Sequence, residues 1–171
     1  MNKPKVILFA CPMWSSKFAI AHNIGWNLNL PIFSRDAIRN EVKEDLLHWD
    51  AQEFENRYEP RFKKLLDAKI DFILDASIDR KYDEYMDILK EYDRFIISID
   101  ISKEHLEKIV NAKEYITGVG SRLDKNYEDH KEFLKEHMDD VDLHITDENF
   151  KDRLNLTLDE IKEWFYGAIN S

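Results

Sequence analysis

Short apolar runs, separated by stripes of apolar residues at helical spacing, constrain this chain more than any other feature. Val6-Ile7-Leu8-Phe9-Ala10 is continuously apolar, the mark of a strand buried on both faces. Comparable runs stand at Ile70-Asp71-Phe72-Ile73-Leu74 and Phe95-Ile96-Ile97-Ser98-Ile99. Two weaker ones are Pro31-Ile32-Phe33 and Val141-Asp142-Leu143-His144-Ile145. Between them lie helical stripes: Ala21, Ile24 and Leu28; then Phe54, Tyr58, Phe62, Leu65 and Leu66; then Tyr85, Met86, Leu89 and Tyr92. Leu106, Ile109 and Val110, then Tyr127, Phe133 and Leu134, and finally Leu158, Ile161 and Phe165 continue the pattern. Pro60 is expected to kink or restart its helix, and Thr157-Leu158-Asp159-Glu160 fits a capping box. Alternation of this kind predicts an α/β fold, a mostly parallel sheet covered by helices on both faces.

The length of 171 residues suits one domain, and no repeat, low-complexity tract or Pro/Gly-rich linker divides it. A net charge of −10 argues against a nucleic-acid partner held through its phosphates, although a local basic pocket remains compatible with it. The single cysteine cannot form an internal disulfide, which points to a reducing cytoplasm. No apolar run approaches the roughly 20 residues of a membrane span. No signal-peptide pattern precedes the first strand. The expectation is a cytoplasmic protein with neither a membrane nor a nucleic-acid partner.

Ligands of such sheets bind beyond the carboxyl ends of the strands, so the residues there carry the functional reading. Ala10-Cys11-Pro12-Met13-Trp14-Ser15-Ser16-Lys17-Phe18-Ala19 follows the first strand. Strand, loop, lysine and helix is the layout of a phosphate-binding loop, in which backbone N–H groups and the helix N-terminus hold the phosphates. Cys11 and Ser16 stand at its two glycine positions, and Phe18 stands where a hydroxyl would hold magnesium. The first glycine of the chain is Gly25, so any left-handed turn in this loop falls on a residue with a side chain. Ser34-Arg35-Asp36-Ala37-Ile38-Arg39 follows the second strand, Asp75-Ala76-Ser77-Ile78-Asp79-Arg80 the third, and Asp100 the fourth. Three strand-end carboxylates suggest magnesium held through water, or a base for a substrate hydroxyl.

In order and spacing, Ile7-Leu8-Phe9 with Lys17, then Pro31 to Arg39, then Phe72 to Ser77, resembles the small P-loop kinases. These include the zeta-toxin-like ATP-binding group carrying the AAA label, here with a degenerate Walker A loop. The resemblance runs from about Lys5 to Asp100, more loosely beyond, and implies a nucleotide-kinase-like P-loop NTPase fold, three layers around a five-stranded sheet. It further implies ATP and Mg²⁺ as cofactors, and phosphoryl transfer to a small hydroxyl substrate. By position Lys17, Ser15, Ser16 and Arg122 would meet the nucleotide, and Asp75 would match the aspartate near magnesium. Lys17 and Asp36 would be catalytic, with Arg39 and Arg80 on the substrate. A lid-like insertion would span about residues 110–129, with Gly118 and Gly120 as hinges and Lys125 beside Arg122.

Each residue also has a plainer reading. Lys17 is then a surface lysine, Ser15, Ser16 and Asp36 are helix caps, and the arginines are surface ion pairs. Trp14 and Phe18, bulky groups in a phosphate cradle, fit a catalytically inactive relative that keeps the fold to bind a ligand or a protein partner. Cys11, five residues and Lys17 also match the spacing of a cysteine-phosphatase loop, whose chemistry needs a thiolate and an arginine in place of that lysine.

Overall fold

Strand β1 (Lys5–Ala10) lies between β3 (Phe72–Ser77) and β4 (Asp93–Asp100), with β2 (Ile32–Ser34) and β5 (Leu143–Thr146) at the edges. The order is β2-β3-β1-β4-β5 and every pairing is parallel. A computed structural model supplies this architecture and describes residues 3–112 and 120–167.

The apolar run of β1 is explained by its place in the middle. Ile7 and Phe9 enter one core with Ile20, Ile24, Leu106 and Ile161, while Val6, Leu8 and Ala10 enter another with Phe62, Leu89, Phe133 and Leu134. Alternate side chains of one strand therefore feed two cores on opposite faces of the sheet. Helices α1 (Lys17–Leu28), α5 (Lys103–Asn111) and α7 (Arg153–Tyr166) cover the first. Helices α3 (Ala51–Ala68) and α4 (Tyr82–Ile88) cover the second, and α6 (Gly120–His137) contributes to both, through Leu123 and through Phe133. Helix α2 (Arg35–Leu46) packs on α3 through Ile38, Val42 and Phe54, a small cluster that also receives Phe33 of β2. That cluster fixes where the start of α2 points.

Local expectations fail at β3 and at Thr157. Strand β3 begins at Phe72 and runs to Ser77, so Asp75 sits within the strand, whereas Ile70 is 43% exposed outside it. Helix α3 passes through Pro60 without a restart. Thr157 caps nothing: it is fully buried inside α7, and its hydroxyl donates to the Arg153 carbonyl at 2.6 Å, the back-bond open to a threonine in mid-helix.

Of the stretch expected to act as a lid, residues 110–112 end α5 and its turn, and Gly120 to Asp129 form the first half of α6. Residues 113–119, Gly118 among them, lie outside the described residues. Among the described residues no helix is long and apolar enough to cross a membrane.

Candidate functional site

The loop after β1 turns the way a glycine loop does, with no glycine in it. Trp14 has φ 66° and Ser16 φ 81°, both in the left-handed region. For residues with a Cβ each such conformation costs on the order of 1 kcal/mol or more. Two contacts hold the shape. The buried Ser15 hydroxyl donates to the Pro12 carbonyl at 2.8 Å, and the Ser16 hydroxyl accepts from Arg153 Nε at 3.0 Å. Arg153 is itself anchored by the Phe150 carbonyl at 2.9 Å and lies over the Phe150 ring. Burial pulls its guanidinium below its ordinary pKa, with no carboxylate among the causes.

Ser16 is the N-cap of α1 but makes no side-chain capping bond, and the first turn of the helix holds no acidic residue. The Ser16 carbonyl takes the Ala19 and Ile20 N–H groups, at 3.1 and 3.4 Å, and no side chain caps the Lys17 and Phe18 N–H groups that precede them. Lys17, the first residue of α1, turns its ammonium to the Asp75 carboxylate. The other Asp75 oxygen accepts from the Ser34 hydroxyl at 2.9 Å, across the β2–β3 register that sets Ser34 opposite Asp75. At 2% exposure Asp75 needs such partners, and it has one on each oxygen.

A cavity of about 640 Å³ opens above these groups. Residues Cys11 to Phe18 form one wall, Arg35, Asp36 and Arg39 of α2 another, and Asp75 to Ser77 with Arg80, Lys81 and Tyr85 the third. Five cationic side chains line it against two carboxylates, although the chain as a whole carries −10. Lys17, Arg39 and Lys81 each have an acidic partner and Arg80 has a distant one, whereas Arg35 has none among the described residues, so the lining holds one cation free to meet an anion outright.

Most of the residues singled out from the sequence meet here. Lys17, Ser15, Ser16, Asp36, Arg39, Arg80 and Asp75 all line the cavity. Arg39 holds Asp36 at 2.7 Å and lies over the Trp49 ring, an exposed pair at the rim. Arg80 reaches Asp129 only at 3.7 Å. Arg122 does not join them: it is exposed on α6 and away from the cavity wall. The three strand-end carboxylates do not converge on one point, because each has its own cation: Asp36 with Arg39, Asp75 with Lys17, Asp100 with Lys131.

Three features escaped the sequence reading. Arg35 lies over the Phe54 and Tyr58 rings at 5.2 and 4.8 Å, which sets its guanidinium at the cavity wall. Arg153 comes to the loop from the far end of the chain, 137 residues from Ser16, and no local motif announces it. Fully buried His130 sets Nδ1 at 3.0 Å from Asp79, tying α6 to the turn after β3, while its Nε2 stands 4.0 Å from Asp100 without a hydrogen-bond partner. Cys11 is 2% exposed, and burial pushes its thiol up to about 12, so it carries no thiolate for phosphatase chemistry.

Magnesium, implied by the resemblance, fits these residues poorly. Phe18 lines the cavity at the hydroxyl position and its ring lies against His22, with centroids 4.0 Å apart. A phosphate chain fits them well, through the uncapped start of α1, Lys17 and the surrounding arginines.

No protein-family model and no curated protein matches the sequence. Solved structures do match in shape. A gluconokinase from Sinorhizobium meliloti 1021 superposes with a TM-score of 0.64 at 12% identity, over 97% of this chain and 98% of that one. The APS kinase of Mycobacterium tuberculosis, solved with AMPPNP and APS, gives 0.64 at 14% identity over 96% and 99%. Deoxyadenosine kinase from M. mycoides, with bound dCTP, gives 0.57 at 14% over 92% and 99%. On these matches and its own strand order, the chain has the fold of the P-loop kinases, three layers around a five-stranded parallel sheet.

Proposed function

We propose that this protein binds the phosphate chain of a nucleotide, with ATP as the reference ligand, against the loop from Cys11 to Lys17. In the same reading it presents the outer phosphate to the hydroxyl of a small molecule lying near Arg39 and Arg80. The observation that carries it is the uncapped start of α1, which opens with Lys17 into a cation-lined cavity. Lys17 neutralises phosphate charge, Ser15 and Ser16 shape the amide cradle, and Asp36 accepts the acceptor's proton. Positioning and charge neutralisation account for most of phosphoryl-transfer catalysis, so such a cavity supplies its main requirements. A single cytoplasmic domain of zeta-toxin-like kinase type, with residues 110–129 and Arg122 as its lid, completes the proposal.

A second reading keeps the cavity and drops the chemistry. Phe18 favours it, since an aromatic ring stands where the metal-binding hydroxyl would be. The protein is then a binding module of kinase ancestry, and its acidic surface suits a basic protein partner.

Calorimetric titration of the full chain with ATP and magnesium tests the shared core of both readings. Saturable heat is expected, together with a rise in melting temperature at millimolar nucleotide and loss of both in Lys17→Ala. Absence of heat and of any thermal shift in the unmodified protein overturns the nucleotide assignment. ADP release dependent on an acceptor separates the kinase from the binding module.

A further inference from the structure

We infer that this chain holds nucleotide phosphates without a magnesium ion, with side-chain cations and backbone amides neutralising them instead. The inference rests on the nucleotide reading above and changes what that site requires.

Mg²⁺ demands a nearly octahedral shell of oxygens and is usually held by one or two carboxylates, phosphate oxygens and several retained waters. Phe18 stands where a phosphate loop places its metal-binding hydroxyl, and it offers no oxygen. Its ring is 64% exposed and lines the cavity, so an apolar surface occupies space that a hydrated ion would fill with water. Asp75, the carboxylate that Lys17 holds beside the loop, is 2% exposed and has both oxygens engaged, one by Lys17 and one by Ser34, while the buried Asp79 carboxylate keeps one oxygen on His130 and leaves the other without a partner. Asp36 is held by Arg39 at the rim. Among the described residues no group of three or more histidine, cysteine or acidic side chains is arranged to hold a metal.

Cations are plentiful in the same place. Lys17 has three N–H donors, so it can keep Asp75 and still reach a phosphate oxygen. Arg35 is set at the cavity wall by two aromatic rings, with no carboxylate partner among the described residues. Arg153 adds a half-buried charge directly behind the Ser16 hydroxyl. Positive charge is therefore built into the walls of the same cavity, and it needs no ion to be captured first.

The test is calorimetric titration of ATP into the full chain, once with EDTA and once with millimolar magnesium, in the unmodified protein and in Phe18→Thr. For the unmodified protein the two dissociation constants are expected to agree within about threefold. Phe18→Thr, which restores the hydroxyl, is expected to bind about tenfold more tightly with magnesium than with EDTA. A dissociation constant in the unmodified protein that rises about tenfold or more when magnesium is removed overturns the inference and leaves the nucleotide reading standing. Absence of binding in both buffers overturns that reading, and the inference with it. A Phe18→Thr protein that binds ATP but gains no magnesium preference overturns the role given to Phe18. The comparison of buffers in the unmodified protein needs no variant to fold.

Discussion

Helices α1 and α2 both begin where a parallel strand ends, and both line the same cavity, yet their first turns are built in opposite ways. Ser34 caps α2 by accepting from the Ala37 N–H, and Asp36 sits in the first turn, so that N-terminus is closed by its own side chains. Helix α1 has no side-chain cap and no acidic residue, and its N-cap Ser16 is held in the left-handed region. Sequence cost was accepted at α1 to keep amides open, whereas at α2 the same kind of terminus was stabilised internally. An open helix start beside a lysine is where an anion is expected, and a closed one carrying an Asp36–Arg39 pair suits contact with an acceptor.

The largest effect should come from Lys17, which serves both the open terminus and the buried carboxylate. Lys17→Ala leaves Asp75 without its cation and is expected to cost about 3 kcal/mol of stability in urea unfolding, the lower end for breaking a buried pair. Adding Asp75→Asn should recover part of that loss while nucleotide binding stays absent. If Lys17→Ala were as stable as the unmodified protein, the pair would be a surface contact and the contrast between the helices would lose its anchor.

Cys11, at the base of the open loop, gives the next effect. Burial raises its thiol to about 12, and burial likewise raises the hydroxyl of Tyr82 to about 12 and those of Tyr58 and Tyr92 upward. These groups bind their protons more tightly in the folded than in the unfolded chain. Their contribution is therefore complete below the unfolded values and is lost as pH rises from about 9 toward 12. Cys11 alone should remove about 1.4 kcal/mol by one pH unit above the ordinary thiol value. Urea melts between pH 8 and 11 check this, and Cys11→Ala should flatten the start of the decline.

Backbone strain comes third. Leu47, 90% exposed with φ 62° at the end of α2, should gain about 1 kcal/mol on replacement by glycine. Ser16→Gly relieves similar strain but loses the Arg153 hydrogen bond, so its net change should be close to zero. A clear gain at Ser16 would mean that Arg153 contributes nothing to the loop. Smallest of all, Arg39→Ala should change stability by less than about 0.5 kcal/mol, because its pair with Asp36 is exposed.

The sheet was legible because a strand buried on both faces must be apolar throughout, as Val6 to Ala10 are, and the helices because their stripes face two cores. The convergence of Lys17 and Asp75 followed from parallel topology, since both stand where adjacent strands approach the same edge. What stayed hidden is non-local. A left-handed serine leaves no mark in the sequence, because glycine is the residue that normally signals it. Arg153 acts through a contact that only the packing of α7 on α1 creates. The Thr157-Glu160 pattern misled for a similar reason: capping motifs are local, and burial decided where that threonine went.

The ¹⁵N–¹H spectrum of the full chain, followed through an ATP titration, tests the open-terminus claim most directly. Backbone amides from Trp14 to Phe18 are expected to move saturably while that of Ala37, already given to the Ser34 hydroxyl, moves little. Movement at Ala37 with the Trp14–Phe18 amides unchanged would contradict it.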